Sequence, residues 1–330
     1  MLASYRLVQT SDVNEIEAAW IQNSRGNRVD MSGAGAASEF VADLAPFDDG
    51  SLTYGRYGSP IAVSFDAADY TRLIYQLREG SAIRLEGESS EFGSSEAGCL
   101  IPAGRRWRSR YAGGLENLTV RIPTTTLQRK LSAYLGSDRQ ALDLLQPSAA
   151  DPRGAEELRQ AIFHLTRAVD AGDRKFLPKL IVSSLDDIGL RLFTSFSRDV
   201  VAAESPPAAP SAIQLGRVEQ YLVEHYADPL TLETLADVSG VGARNVIWYF
   251  QIRHGSTPQQ YLQRVRLQMA YLQLRIFAGN TVESVALHCG FPSMAAFARS
   301  YQRQFGAAPI ARDPCPTHPA AWPDGEGGPE

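Results

Sequence analysis

Side chains that could do chemistry cluster in two stretches of the chain. The first holds Arg105, Arg106, Arg108 and Arg110 around Trp107, followed by Tyr111. On a strand, Arg106, Arg108 and Arg110 share one face, while Arg105, Trp107 and Ser109 share the other. Three cations on one face repel unless acids or an anion compensate them. Two readings stay open. One is a solvated face salt-bridged to Glu86, Glu88, Glu91 and Glu96. The other is a site for a carboxylate or phosphate. Tyr75, Arg84 and Trp107 are further candidates, as lining for a small aromatic or carboxylic metabolite inside a barrel. The second stretch, 243–304, carries Arg244, Asn245, Trp248, Arg253, Arg299 and Arg303 on helix-like spacing.

Other chemistries find too few residues. The five histidines are His164, His225, His254, His288 and His318, and none lies in 40–123. A β-barrel metal enzyme needs two or three histidines plus a carboxylate inside the barrel, and a nucleophilic triad needs a base there. No enzyme, metal site or cofactor is expected. Cys99, Cys289 and Cys315 are odd in number and far apart, which argues against a disulfide framework and for a reducing, cytoplasmic setting. The first residues, MLASYRLVQTSDVNE, lack the basic and apolar regions of a signal peptide. No apolar run reaches the ~18 residues of a membrane helix.

The elements that would position these residues follow from patterning, and the fold class is α+β. Thr10-Ser11-Asp12 precedes a short helical pattern through Ile16, Ala19 and Trp20. From about Leu52 to Ile122 the pattern is strand-like, with segments 70–77, 81–87, 97–104, 105–111 and 115–123 broken mostly by glycine. This spacing suggests a sandwich or barrel. Helical patterns follow at 124–135, 154–171 and 174–197, the last two reading as a hairpin. VAAESPPAAPSA (201–212) suits a linker, and residues 314–330, dense in Pro, Gly and acids, read as a disordered tail. The expected organisation is a sensing and dimerisation domain at 1–200, the linker at 201–212, an all-α domain at 213–313 and the tail.

The all-α domain contains a repeat. Thr231, Glu233, Ala236 and Gly240 recur fifty residues later as Thr281, Glu283, Ala286 and Gly290. Phe250, Gly255 and Pro258 recur fifty-one later as Tyr301, Gly306 and Pro309, a shift that one inserted residue in the second turn explains. In each half a threonine caps a short helix with a glutamate in its first turn. An alanine permits close helix approach, and a glycine supplies the positive φ of a tight turn. A second helix follows, at about 243–253 and 293–304. That is helix-turn-helix grammar, twice. Residues 258–277 read as one long amphipathic helix joining the halves. It spans ~27–30 Å, against ~34 Å between successive major-groove faces on one side of B-DNA.

This arrangement resembles the AraC/XylS family of transcription regulators over about 213–310. The motifs are Leu235, Ala236, Gly240 and Val241; Tyr261, Leu262, Arg266 and Leu267; Val285, Ala286, Cys289, Gly290 and Phe291; and the closing run from Phe297 to Pro309. Ile310-Ala311-Arg312 departs from the aromatic residue that the family usually places before the arginine. The N-terminal region is similar to the cupin-type sensor domain common in that family, with a helical hairpin that often mediates dimerisation. A cupin-like β-barrel with a helical hairpin, a linker and two helix-turn-helix motifs is therefore expected. The function implied is a promoter-binding regulator, an activator by expectation, working with RNA polymerase and controlled by a small ligand. A homodimer through 154–197 is implied as well. The alternative is a cupin-fold enzyme with an accessory helical domain.

The resemblance aligns Arg244, Ile247 and Trp248 with base-reading positions. Arg244 can pair bidentately with guanine, and Asn245 can bond adenine or phosphate. Trp248 and Ile247 either pack on sugars and thymine methyls or close the core. Arg253 and Arg303 are phosphate contacts or solvated surface. The second helix offers Met294, Ala295, Ala298 and Arg299, of which only Arg299 bonds a base strongly, so this half reads shape and phosphate more than base edges. Arg106-x-x-x-Arg110 and Asp30-x-Ser32-x-x-Gly35 also resemble, in reverse order, the two motifs with which PilZ domains hold cyclic di-GMP. That nucleotide joins the effector candidates. The net charge of −5 is not that of a typical DNA binder. It is unevenly spread: residues 211–313 hold nine arginines and seven acids, so this domain is weakly basic.

Overall fold

In the computed structural model, residues 1–23, 39–47, 50–78, 80–87, 98–136, 152–171, 175–196, 209–276 and 280–310 are described. Nine strands occur among them: β1 (Arg6–Thr10), β2 (Phe40–Phe47), β3 (Gly50–Tyr57), β4 (Ile61–Phe65), β5 (Tyr70–Gln76), β6 (Ser81–Leu85), β7 (Cys99–Ile101), β8 (Trp107–Tyr111) and β9 (Leu115–Pro123). All pair antiparallel, in a six-stranded sheet of order β1-β2-β3-β9-β5-β7 and a three-stranded sheet β4-β8-β6. The strands begin earlier than expected. Residues 40–47 carry no period-2 signal because five of the eight are buried, four of them in a row from Phe40 to Asp43, where Asp43 pairs with Arg6. β1 is a short edge strand whose apolar content is low.

The large sheet is covered on both faces. Val63, Ile83, Leu85 and Trp107 of the small sheet meet Phe40, Tyr57, Ile74 and Ile101 of the large one in one apolar layer, which forms the flattened, cupin-like barrel. On the outer face, Leu52, Leu73, Tyr75, Leu118 and Val120 pack on α2 (Thr124–Leu135), α3 (Pro152–Asp170) and α4 (Leu177–Phe196). Alternation decides which side chain enters which layer. Ile74 faces the barrel and Tyr75 faces the helices. Helix α1 (Val13–Asn23) sends Ile16 and Trp20 onto the barrel side.

The second domain comprises α5 (Ala212–Glu224), α6 (Leu232–Ser239), α7 (Ala243–His254), α8 (Pro258–Ile276), α9 (Val282–His288) and α10 (Met294–Phe305). Its local signals act as expected. Ser211 caps α5 in a reciprocal capping box with Gln214, and the hydroxyls of Thr231 and Thr281 accept from the amides of Thr234 and Ser284. Gly290 has φ +77°, and an added Cβ would lie 2.4 Å from the Ala227 carbonyl oxygen, so both conformation and proximity demand glycine. Ala286 is fully buried, whereas Ala236 is only half-buried beside the buried Leu235. Most of the expected linker and the whole expected tail at 314–330 lie outside the described residues.

The two domains share a core. Leu127, Leu131 and Tyr134 of α2 belong to one apolar cluster with Leu232 and Leu235 of α6 and Ala243 and Val246 of α7. Phe176, at the start of α4, is buried among Leu267, Leu274, Val285 and Phe291 of the second helix-turn-helix unit.

Candidate nucleic-acid interface and effector chamber

Each half-repeat exposes one stripe of its second helix. On α7 the stripe runs Arg244, Trp248, Ile252, and fifty-one residues on it becomes Ala295, Arg299, Arg303 on α10. These positions recur every four residues and so share a face. Trp248 is 51% exposed and Ile252 66%, which removes Trp248 from the core. Ile247 instead packs half-buried against the core beside Val246. Arg244 and Asn245 are half-buried at the first turn of α7. Arg253 is exposed and lies 3.3 Å from Glu219, which His254 also contacts at 2.8 Å. On α10, Met294 is partly buried against the second core, Ala298 is half-buried, and Ala295, Arg299 and Arg303 are exposed. Ile252 was not among the expected residues. Its four-residue spacing from Trp248 was the signal that could have found it.

Below this surface, Arg266 of the joining helix is buried. It donates to the carbonyls of Tyr226 and Asp228, each at 2.7 Å, and burial brings its pKa down to about 10. Cys289 is likewise buried, which lifts its thiol to about 11 and leaves it a packing residue.

The N-terminal domain grips both halves at the same place in the repeat. Glu233, in the first turn of α6, lies 3.1 Å from Arg129 and 3.5 Å from Lys130 of α2. Glu283, its counterpart in α9, lies 2.7 Å from Lys175. Lys130 is buried and also meets Asp186 of α4 at 2.7 Å. Lys179 donates to the carbonyls of Ala227 and Leu287, both at 3.2 Å. Backbone also meets backbone across the joint. Gly136, which ends α2 at φ +70°, abuts Gly242 at the start of α7, where an added Cβ would stand 2.5 Å from the Gly242 nitrogen.

The arginine face divides as the strand pattern predicts. Trp107, Ser109 and Tyr111 are buried, and Arg108 and Arg110 are exposed. Arg84 pairs in register with Arg108 on the outer surface, so it does not line the barrel interior. With Arg106, Arg108 and Arg110 it borders an outer groove of about 510 Å³. Asp66 stands 3.9 Å from Arg106, and Arg105 donates to the Glu86 carbonyl. Glu88, Glu91 and Glu96, like Asp30, Ser32 and Gly35, lie outside the described residues. Tyr75 faces α3, where its ring meets Phe163 edge-on at 6.3 Å, and is likewise not a lumen residue.

Trp107 does line the interior. It stacks on Phe65 at 3.8 Å, beside a cavity of about 40 Å³ that Trp20, Tyr57, Arg72, Tyr111 and Arg121 also border. Arg72 and Arg121 were missed by sequence reasoning. An arginine amid the apolar run YTRLIYQ reads as an outward side chain, and only the β5–β9 register brings Arg72 opposite Arg121.

Two family models match the chain: an AraC-binding-like domain over residues 19–189 and a helix-turn-helix domain over residues 235–311. Among curated proteins, the HTH-type transcriptional activator RhaS of Escherichia coli O157:H7 is 32% identical over 99 residues, 30% of this chain and 35% of its own length. The chain thus spans about a third of the length of the first curated relatives it matches. A probable thc operon regulatory protein of Rhodococcus erythropolis is 26% identical over 217 residues, 62% of each chain. Among solved structures, the DNA-binding domain of AdpA in complex with a target DNA is 30% identical, covering 31% of this chain and 86% of that one, with a TM-score of 0.27.

Proposed function

From the premise that this chain belongs to the AraC family of DNA-binding transcription regulators, with a cupin-like N-terminal domain, we propose that it activates transcription in response to a small molecule held by that domain. The observation that carries this reading is the pair of matching exposed stripes, on α7 and α10, at the two ends of one helix. Helix α8 has 19 residues and is about 28 Å long, a length suited to presenting both stripes along one side of a duplex. In this reading Arg244 and Asn245 read base edges. Trp248 and Ile252 pack on sugars and thymine methyls, Ile247 supports them from beneath, and Met294, Ala295 and Ala298 set the fit of the second half. Arg299 bonds a base or phosphate, and Arg253 and Arg303 meet phosphates. RNA polymerase is the protein partner and the cytoplasm the site of action. A homodimer forms through 154–197.

Mobility shifts of the full chain with fragments of its promoter region test the reading. Arg244→Ala is expected to weaken specific binding by about 1–3 kcal/mol and to leave nonspecific binding nearly unchanged. A variant that binds specific and competitor DNA as the wild type does would reject this assignment of α7. Light scattering of the purified chain tests the dimer, and a monomer at micromolar concentration would refute it.

The effector reading places the ligand in the barrel chamber beside Trp107. The outer groove supports a second one, because four arginines, Arg84, Arg106, Arg108 and Arg110, converge on it. Such a surface suits a polyanion, and cyclic di-GMP is the candidate. Titration with cyclic di-GMP checks it: Arg108→Ala with Arg110→Ala should abolish binding, and absence of binding to the wild type removes the reading.

A further inference from the structure

Two carboxylates meet one buried ammonium where the domains join. Lys130 of α2, 4% exposed, lies 2.7 Å from Asp186 of α4, itself 8% exposed. Glu233 of α6 approaches the same Nζ to 3.5 Å, so the sensor supplies one acid and the reader the other. One oxygen of each acid, Asp186 Oδ2 and Glu233 Oε2, is buried with no hydrogen-bond partner. An ionised oxygen left this way is costly, and two carboxylates in one site raise the cost further. A proton on Asp186 turns an acceptor into a donor. It supplies the one hydrogen that the two lone oxygens lack.

The remaining charges nearby are already matched. Arg129 of α2 lies 3.1 Å from Glu233. Asp187, the neighbour of Asp186, lies 2.9 Å from Arg191, which also meets Glu157 of α3 at 2.7 Å. A cleft of about 500 Å³ runs along the joint and is bordered by Asp186, so water and protons can reach it. His164 of α3 borders the same cleft, while α7 and α8 bring uncharged residues such as Ile247 and Gln260. Burial and then Glu233 raise the Asp186 pKa, to about 6, against the pull of Lys130 and the Leu232 backbone amide.

We infer that this joint is a proton-operated latch between sensor and reader. With Asp186 protonated, its hydroxyl donates to Glu233 and the domains stay docked. When that proton leaves to solvent, two carboxylates compete for Lys130 and the reader is freed for DNA. The inference rests on the DNA-binding reading above and adds a signal to it. Its sign follows from linkage. In parted domains Asp186 meets water and titrates near 3.9, so the docked chain binds the proton more tightly. Acid therefore closes the joint, and opening becomes about ten-fold easier between pH 5 and 7.

Two measurements on the full chain at fixed ionic strength test this. Hydrogen exchange without DNA, corrected for intrinsic rates, should show α6 amides losing protection about ten-fold from pH 5 to 7. Mobility shifts should show specific DNA affinity rising over the same interval, by up to that factor. Asp186→Asn keeps a donor and cannot ionise, so it should stay protected and bind DNA weakly at every pH. His164→Gln should behave as the wild type. Where Asp186→Asn fails to fold, Glu233→Gln removes the second carboxylate and should flatten both profiles. A flat wild-type exchange profile, a slope that survives in the folded variant, or a slope lost in His164→Gln overturns the latch. Specific DNA binding that ignores pH while exchange responds also overturns it, as a control on the reader. Absence of specific DNA binding at every pH rejects the regulator reading instead, and the exchange profile still decides whether the joint holds the proton.

Discussion

Trp248 is a costly residue to leave in water, and its position on α7 explains the cost only if something covers it. At 51% exposure it contributes little to the core, so Trp248→Ala should change unfolding free energy by no more than ~0.5 kcal/mol. The same substitution should weaken DNA binding several-fold by removing stacked apolar area. Thermal denaturation alongside a mobility shift checks both halves, and a large drop in melting temperature would return Trp248 to a packing role. The sequence indicated Trp248 as a reader and left its burial open. The gain at this scale is Ile252, which extends the exposed stripe by one turn. Arg72 and Arg121 were beyond reach, because parity along a strand says which residues share a face but not which face encloses a chamber.

Helices and caps were far more legible than strands. Thr231, Thr281, Gly240 and Gly290 act within a few residues of themselves, so their meaning is local. β2 hides because covering both sheet faces erases alternation, and β1 because it pairs with a segment more than thirty residues away. The joint between α2, α4 and α6 was invisible for the same reason: Lys130, Asp186 and Glu233 are distant in sequence. Burial lifts the Asp186 carboxyl to about 6, with Glu233 adding to the rise and Lys130 opposing it. An unfolded aspartate titrates near 3.9, so the folded chain holds this proton more tightly than the unfolded one. Asp186 therefore contributes most to stability below about pH 4, and that contribution is lost as pH rises through about 6, amounting to roughly 3 kcal/mol across the interval. Asp186→Asn should flatten the fall in melting temperature between pH 4 and 7. Parallel curves for variant and wild type would place the titrating group elsewhere.

The molecule as a whole is a duplicated reader clamped by its sensor. The clamp brings Gly136 against Gly242, at the end of α7 that enters a major groove in helix-turn-helix proteins, so docking and DNA are expected to compete for the same end of the helix. Glu283→Gln alone removes an exposed anchor and should raise DNA affinity by less than about five-fold, since an exposed ion pair is worth ~0–1 kcal/mol, whereas Glu233→Gln, whose partner Lys130 is buried, should raise it more. Together they free both ends, and the double variant should exceed the product of the single effects. A double-mutant cycle in the mobility shift measures the excess, and strict additivity would mean that the halves release independently.

The two anchoring glutamates are fifty residues apart and the two recognition helices fifty-one, so the extra residue falls between mount and reading head. Upstream of it the sensor meets the same repeat position in each half, Glu233 through Arg129 and Lys130 and Glu283 through Lys175. Downstream, the second head is offset by one residue and carries a different stripe, Ala-Arg-Arg in place of Arg-Trp-Ile. The second head can therefore change its stripe without touching the Glu283 anchor, whereas the first is tied to its mount, because α2 also packs on Gly242, Ala243 and Val246.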